Sequence, residues 1–294
     1  MRTLAFIAAL ALTSCAQPPP STAIQTDPPD LAPRYPSLDE VPAPTTEPTA
    51  DLPSPTANEP PVPTTAGKLL IGGASLIEQT IRHNGSSIDL QFVLFDSLQY
   101  VLRVIDQPED WSGGGKITEC MRKANAIAGV NGGFFTPQFT PMGLMIASGH
   151  HTGSWQQNKL LSGAVVVRQQ PQLLWNAEVR NASQTQHLVQ AGPRLVDAGH
   201  AVPNLERRKQ TTRTFIATDG DHRWIIGLAR NTSLGELAEA LATVGTFPDG
   251  FRVRRALNLD GGHSSALYYR TADGHEHSDP GWSTVRNYLG IVPR

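Results

Sequence analysis

The sequence predicts an α+β fold: one domain with a mainly antiparallel mixed sheet and a few helices, preceded by a disordered proline-rich linker. Three observations predict it. Short β-branched runs bounded by Gly, Pro, Asn or Asp recur along residues 67–294, which is how strands and turns read in sequence. Only two stretches carry a helical period, so strands outnumber helices. Residues 16–66 hold 15 of the 24 prolines, mixed with Thr, Ser and Ala.

The chain of 294 residues opens with Arg2, an apolar stretch from Leu4 to Leu12, and then Leu12-Thr13-Ser14-Cys15. A basic start, a short apolar core and small closing residues predict an export signal over 1–14, too short to span a membrane as a helix. The ending resembles a bacterial lipobox. That implies lipidation of Cys15 and anchoring to the cell envelope, at an outer membrane or facing the periplasm. An ordinary cleaved signal is the alternative, and both export the protein.

Residues 15–66 read as a linker. They offer too little apolar surface to offset the entropy of ordering, so the segment is expected to be extended. As polyproline II, at about 3.1 Å per residue, it reaches on the order of 150 Å. Its seven acids against Arg34 leave +3 on residues 67–294. That balance is too weak for a nucleic-acid footprint. Cys15 and Cys120 are the only cysteines. With Cys15 lipidated, no disulfide forms and the domain rests on its core.

Strands are expected at 87–96, 99–105, 126–130, 163–168, 187–196, 214–218, 223–229, 255–260, 265–269 and 287–292. Asp219-Gly220 reads as a hairpin turn between two of them. A helix is expected from Leu234, since Leu234, Leu237, Ala238, Leu241 and Ala242 share one face. Ser233 and Glu236 form a capping-box pair and Gly245 marks the end. A weaker helix covers 117–125, with Cys120 expected as a buried core thiol beside Ile117, Met121 and Ala124.

Four glycine-rich corners follow strands and place Asn131, Arg194, Arg213 and Asp260 at bends, as though polar groups converge on one cleft. In "ALNLDGGHSSALYY" (256–269) a carboxylate, two glycines, a histidine and two serines share one bend. Asp260 beside His263-Ser264 is too close in sequence for a serine-hydrolase triad, and no G-x-S-x-G elbow is present. His275 and His277 lack a third ligand at metal spacing and read as a solvated loop. Residues 112–116 lack the full phosphate-loop pattern, and 206–209 read as exposed surface.

The ordered set Asn131-Gly132-Gly133-Phe134-Phe135, Pro141-Met142-Gly143-Leu144, Ala191-Gly192-Pro193-Arg194-Leu195-Val196, Arg213-Thr214, Asn258-Leu259-Asp260-Gly261-Gly262-His263-Ser264-Ser265 and Arg286-Asn287 resembles the phosphodiester glycosidase family, departing from its pattern at His263. The resemblance spans about residues 70–294. It implies cleavage of the sugar C1–O bond of a sugar-1-phosphodiester, through an oxocarbenium-like transition state. On that basis Asp260, Arg213 and Asn131 are expected to be catalytic. Gly132, Arg194, Thr214, Gly261, Gly262, His263, Ser264, Ser265, Arg286 and Asn287 are expected to bind substrate, Arg213 and Arg286 through phosphate. An alternative role for Asp260 is to cap its own Gly-Gly bend. The expected partners are a carbohydrate or sugar-phosphate substrate and a membrane reached through the lipid anchor. No cofactor is expected, and the residue spacing does not support a divalent metal. A non-catalytic glycan- or envelope-binding lipoprotein on the same fold is the rival reading.

Overall fold

A computed structural model describes residues 67–107, 116–180 and 182–294. The export signal, Cys15, the linker and most of the 112–116 run lie outside the described residues.

The largest sheet has eight strands. In spatial order they are Lys68–Leu69, Ser75–His83, Ser86–Asp96, Arg223–Thr232, Thr211–Thr218, Arg255–Asn258, Arg194–Asp197 and His200–Ala201. A five-stranded sheet orders His150–Thr152, Met145–Ala147, His187–Ala191, Gly163–Val167 and Pro171–Trp175. Another orders Glu276–Asp279, Leu267–Arg270, Ala128–Asn131, Asn287–Pro293 and Tyr100–Asp106. Every ladder is antiparallel. Among the described residues two α-helices join them, α1 (Ile117–Lys123) and α2 (Leu234–Ala242). The fold is therefore α+β, as expected.

The central strands are apolar at consecutive positions because the large sheet is covered on both faces. Side chains alternate along a strand. Phe92, Phe215 and Ile225 join one core with Leu237, Ala238 and Leu241 of α2. Their neighbours Val93, Ile216 and Ile226 join the other core, with Val130, Val165, Val189 and Leu289 from the smaller sheets. Helix α2 has the expected capping box, with Ser233 accepting from Glu236 N. Helix α1 buries Ile117 and Met121, while Cys120 is only partly buried, its thiol 3.6 Å from Gln107 Oε1.

Three expectations change. The run 187–196 is two strands in different sheets, divided at Gly192-Pro193, where Pro193 has no N–H to continue a ladder and a side chain at residue 192 would collide with the Leu160 carbonyl. Residues 265–269 yield a strand only from Leu267, after a 3-10 turn at Gly262–Ser264. His277 belongs to an edge strand, Glu276–Asp279, rather than a loop, and its ring stacks on Tyr269.

Candidate active site

The ends of Ala128–Asn131 and Arg255–Asn258 meet the start of Thr211–Thr218 beneath the Asp260 bend. Asn131 ties them together. Its side-chain amide donates to the Asp260 carbonyl at 2.7 Å, and its Oδ1 accepts from Thr214 Oγ1 at 2.7 Å and from Ala266 N at 3.0 Å. Thr214 also contacts Ser265 Oγ at 3.1 Å. Asn131 and Thr214 are fully buried and Ser265 nearly so. Buried polar groups need such partners, and here they find them in one another. Asn131 is therefore a positioning residue, where the sequence suggested a catalytic one. Thr214 and Ser265 build the same support.

Asp260 itself is half-buried, at the surface of that support. Its N–H donates to the Gly132 carbonyl at 3.0 Å, and its Oδ1 accepts from Gly261 N at 2.9 Å. Burial pushes its carboxyl up to about 6, against the hydrogen bonds from Ser264 and Gly261, which favour the anion. The carboxyl thus both caps its own bend, as the turn reading had it, and is desolvated.

The two glycines answer different demands. Gly262 has φ of +64°, a left-handed conformation that glycine adopts without strain. At Gly261 a Cβ would lie 3.2 Å from the Thr212 carbonyl and 3.9 Å from Arg213 Cδ. The Arg213 distance is ordinary contact, and it is the Thr212 carbonyl that a side chain at residue 261 would crowd.

Arg213 is buried against the 206–209 turn. Its Nη2 donates to the Lys209 carbonyl at 2.8 Å and to Glu206 Oε2 at 3.3 Å, and Nε donates to the Thr232 carbonyl at 3.3 Å. Nη1 donates to no group among the described residues. Residues 206–209 are exposed, as expected, and through Glu206 and the Lys209 carbonyl they also hold Arg213.

Arg286 is committed further. Nε and Nη2 grip Asp106 at 3.0 and 3.1 Å, and Nη1 donates to the Phe139 carbonyl at 3.1 Å. With 2% of its surface exposed, it meets a phosphate only by surrendering these partners. The sequence suggested a phosphate ligand; the structure gives its guanidinium to Asp106 and the Phe139 carbonyl. Asn287 accepts from Gly133 N at 2.9 Å, in space that a side chain on Gly132 would fill. Its Nδ2 has no hydrogen-bond partner among the described residues.

Arg194 stands apart from the Asp260 bend, on a cavity lined also by Lys159, Ser162 and Trp175. His263 is exposed, and its carbonyl accepts from Trp282 N at 2.8 Å and Ser283 N at 3.1 Å. Ser283 Oγ lies 3.3 Å from Ser264 Oγ. Sequence reading missed this strap, which holds Trp282, 91% exposed, beside the Asp260 loop. An aromatic flanked by Pro280-Gly281 was its only signal. Among the described residues no three His, Cys, Asp or Glu side chains gather as a metal site.

The antiparallel α+β fold thus carries a desolvated aspartate on a Gly-Gly bend, with a buried arginine on the strand that passes under Gly261. The phosphodiester glycosidase family profile matches residues 124–292, more than half of the chain. The chain belongs to that family. Among solved structures, the zebrafish N-acetylglucosamine-1-phosphodiester alpha-N-acetylglucosaminidase catalytic domain, auto-inhibited by its pro-peptide, is similar in fold. It has a TM-score of 0.53 and 14% identity over 79% of this chain and 88% of that one. A hypothetical protein from Synechocystis has a TM-score of 0.50 and 18% identity, over 81% and 65% of the two chains. No curated protein matches the sequence.

Proposed function

We propose that the protein is an exported, lipid-anchored hydrolase that cleaves the sugar C1–O bond of a sugar-1-phosphodiester at the Asp260 bend. The observation that carries this reading is the half-buried Asp260 carboxyl, raised to about 6 by burial, on a Gly-Gly bend whose Gly261 lies against the Thr212–Arg213 backbone. Water attacks C1 and gives a proton to the Asp260 carboxylate. The C1–O bond breaks with its electron pair moving to the phosphate oxygen. A free sugar and a phosphomonoester leave. The departing phosphate is a good leaving group, so charge stabilisation matters more than general-acid help. The free Nη1 edge of Arg213 supplies it. Trp282 offers a flat apolar face at the rim for a sugar ring.

Hydrolysis of model sugar-1-phosphodiesters in oxygen-18 water tests this reading. Label in the sugar supports it. Label in the phosphate means P–O cleavage, and no turnover across a broad panel leaves a glycan-binding protein on this fold. The anchoring part is tested separately, because Cys15→Ser should move the protein out of the membrane fraction.

A further inference from the structure

Arg194 and Lys159 line a cavity of about 740 Å³, well within the range of small-ligand sites. No Asp or Glu is among its lining residues. We propose that this cavity binds an anionic carbohydrate group, as a subsite apart from the Asp260 bend but tied to it through Asn258.

The Arg194 cation on its lining is held in place. The Arg194 N–H donates to Ser162 Oγ at 2.9 Å, and its guanidinium lies 5.4 Å from the centre of the Trp175 ring. The indole is fixed in turn, donating to Asp197 Oδ1 at 2.8 Å. A second arginine, Arg255, covers the same ring at 5.0 Å, but Glu178 holds it with two bonds of 2.7 Å each. Arg194 has no such partner. Its one carboxylate contact is Asp197 at 3.4 Å, with 39% of the side chain exposed. Of the two arginines on Trp175, Arg255 is gripped bidentately by Glu178, while Arg194 has only the longer Asp197 contact and is the more open of the two to an anion. Lys159 is exposed and has no ion-pair partner among the described residues.

The segment that carries the lining residues Gln157 and Asn158 is tied down by hydrogen bonds. Gln190 brackets it, accepting from Gln156 N at 2.9 Å and donating to the Gln156 carbonyl at 2.7 Å. Asn176 donates to the Leu161 carbonyl at 2.8 Å, and Asn158 Oδ1 accepts from Leu161 N at 2.7 Å. A wall already ordered loses little entropy when a ligand arrives. Of the amide side chains that line the space, Asn158 and Asn176 are held by these bonds, and Gln157 and Asn204 suit hydroxyl groups. Two bonds connect the cavity to the candidate active site. Asn258, two residues before Asp260, donates from N to the Pro193 carbonyl at 3.0 Å and from Nδ2 to the Gly192 carbonyl at 2.8 Å. The identity of the ligand as part of the substrate rests on the proposed function; the preference for an anion rests on the cavity alone.

The test is calorimetric titration of the full chain with glucose 1-phosphate, digalacturonate and maltose, repeated with Arg194→Ala/Lys159→Ala and with Asp260→Asn. The expected result is binding of at least one anionic probe, with phosphate and carboxylate told apart by which probe binds. That binding should weaken about tenfold or more in the double variant, fall with added salt, and persist in Asp260→Asn. Maltose should bind more weakly and be indifferent to the double substitution. Absence of anionic binding at millimolar concentration overturns the proposal. So does unchanged affinity in a double variant that melts like the parent, or equal affinity for maltose. If anionic binding meets expectation while no sugar phosphodiester is hydrolysed, the proposed reaction falls and the cavity assignment stands.

Discussion

The side-chain amide of Asn131 donates to the main-chain carbonyl of Asp260 at 2.7 Å, across 129 residues of sequence. Through this bond the end of one sheet's strand holds the bend that follows a strand of another sheet. The Asn131 Oδ1 accepts two further bonds, so one carboxamide fixes Asp260, Thr214 and Ala266 together.

Asn131→Ala should therefore act first on folding. It strands the Asp260 carbonyl and the Ala266 N–H in a buried place, and leaves the Thr214 hydroxyl only Ser265. A loss of about 2 to 4 kcal/mol in urea unfolding is expected, since each unmet buried group costs about 1 to 3 kcal/mol. Any remaining folded fraction should show lower kcat with little change in KM, because Asn131 touches the support and not the ligand. Normal stability in this variant would mean that the buried network relaxes around the gap.

Arg286 and Asp106 give a second stability test. Arg286→Ala leaves a carboxylate facing a buried space and should cost about 3 kcal/mol. Replacing both partners, as Arg286→Met with Asp106→Leu, removes the unmet charge and should recover much of that loss in thermal melts. If the single variant melts normally but loses affinity for phosphate, Arg286 serves the ligand and the ion pair opens on binding.

Arg213 is predicted to differ from Arg286, because its Nη1 is free and Glu206 holds only the far side. Arg213→Ala should weaken both binding and turnover, since phosphate is anionic before and during reaction. Arg213→Lys should restore only part, lacking a second donor in fixed geometry. Glu206→Gln should lower KM by a few-fold, as a competing carboxylate is neutralised, with an effect that shrinks in salt. An unchanged KM in Glu206→Gln and Arg213→Ala together would take Arg213 out of the phosphate site.

How much of this was legible in sequence depended on range. Helix α2 was legible because its apolar period and its capping pair Ser233 and Glu236 are local. The Asp260 bend was legible because glycines mark it. The strand Ser75–His83 was missed because Glu78, Thr80 and Arg82 face solvent and dilute its apolar pattern, although Asn84-Gly85, with φ of 49° and 79°, is a strong hairpin turn. The edge strand Glu276–Asp279 was missed because three of its four residues are exposed and carry no apolar signal. The pairing of Arg286 with Asp106 spans 180 residues, and nothing local in sequence shows that an arginine is already committed.

The last prediction concerns Asp260, where activity and stability should move in opposite directions. In the folded protein its carboxyl titrates at about 6, against 3.8 as the ordinary value, so the native state holds the proton more tightly. Between those values the native state binds more protons than the unfolded chain. Stability should therefore fall as pH rises from about 4 to about 6, and the cost should persist above that. Asp260→Asn keeps a side-chain acceptor for the Gly261 N–H but cannot ionise. It should melt like the parent near pH 4 and be more stable at pH 7 to 8, by up to about 2 to 3 kcal/mol before solvent screening reduces the figure. The same substitution should lower kcat by about 10²-fold or more. In the parent, kcat/KM should rise with pH through about 6, as the carboxylate that receives the water proton becomes available. Thermal melts at the two pH values and a pH–rate profile check the three statements separately. A variant that is less stable at both pH values would make Asp260 mainly a turn residue. A profile that falls through 6 would make it the acid and not the base.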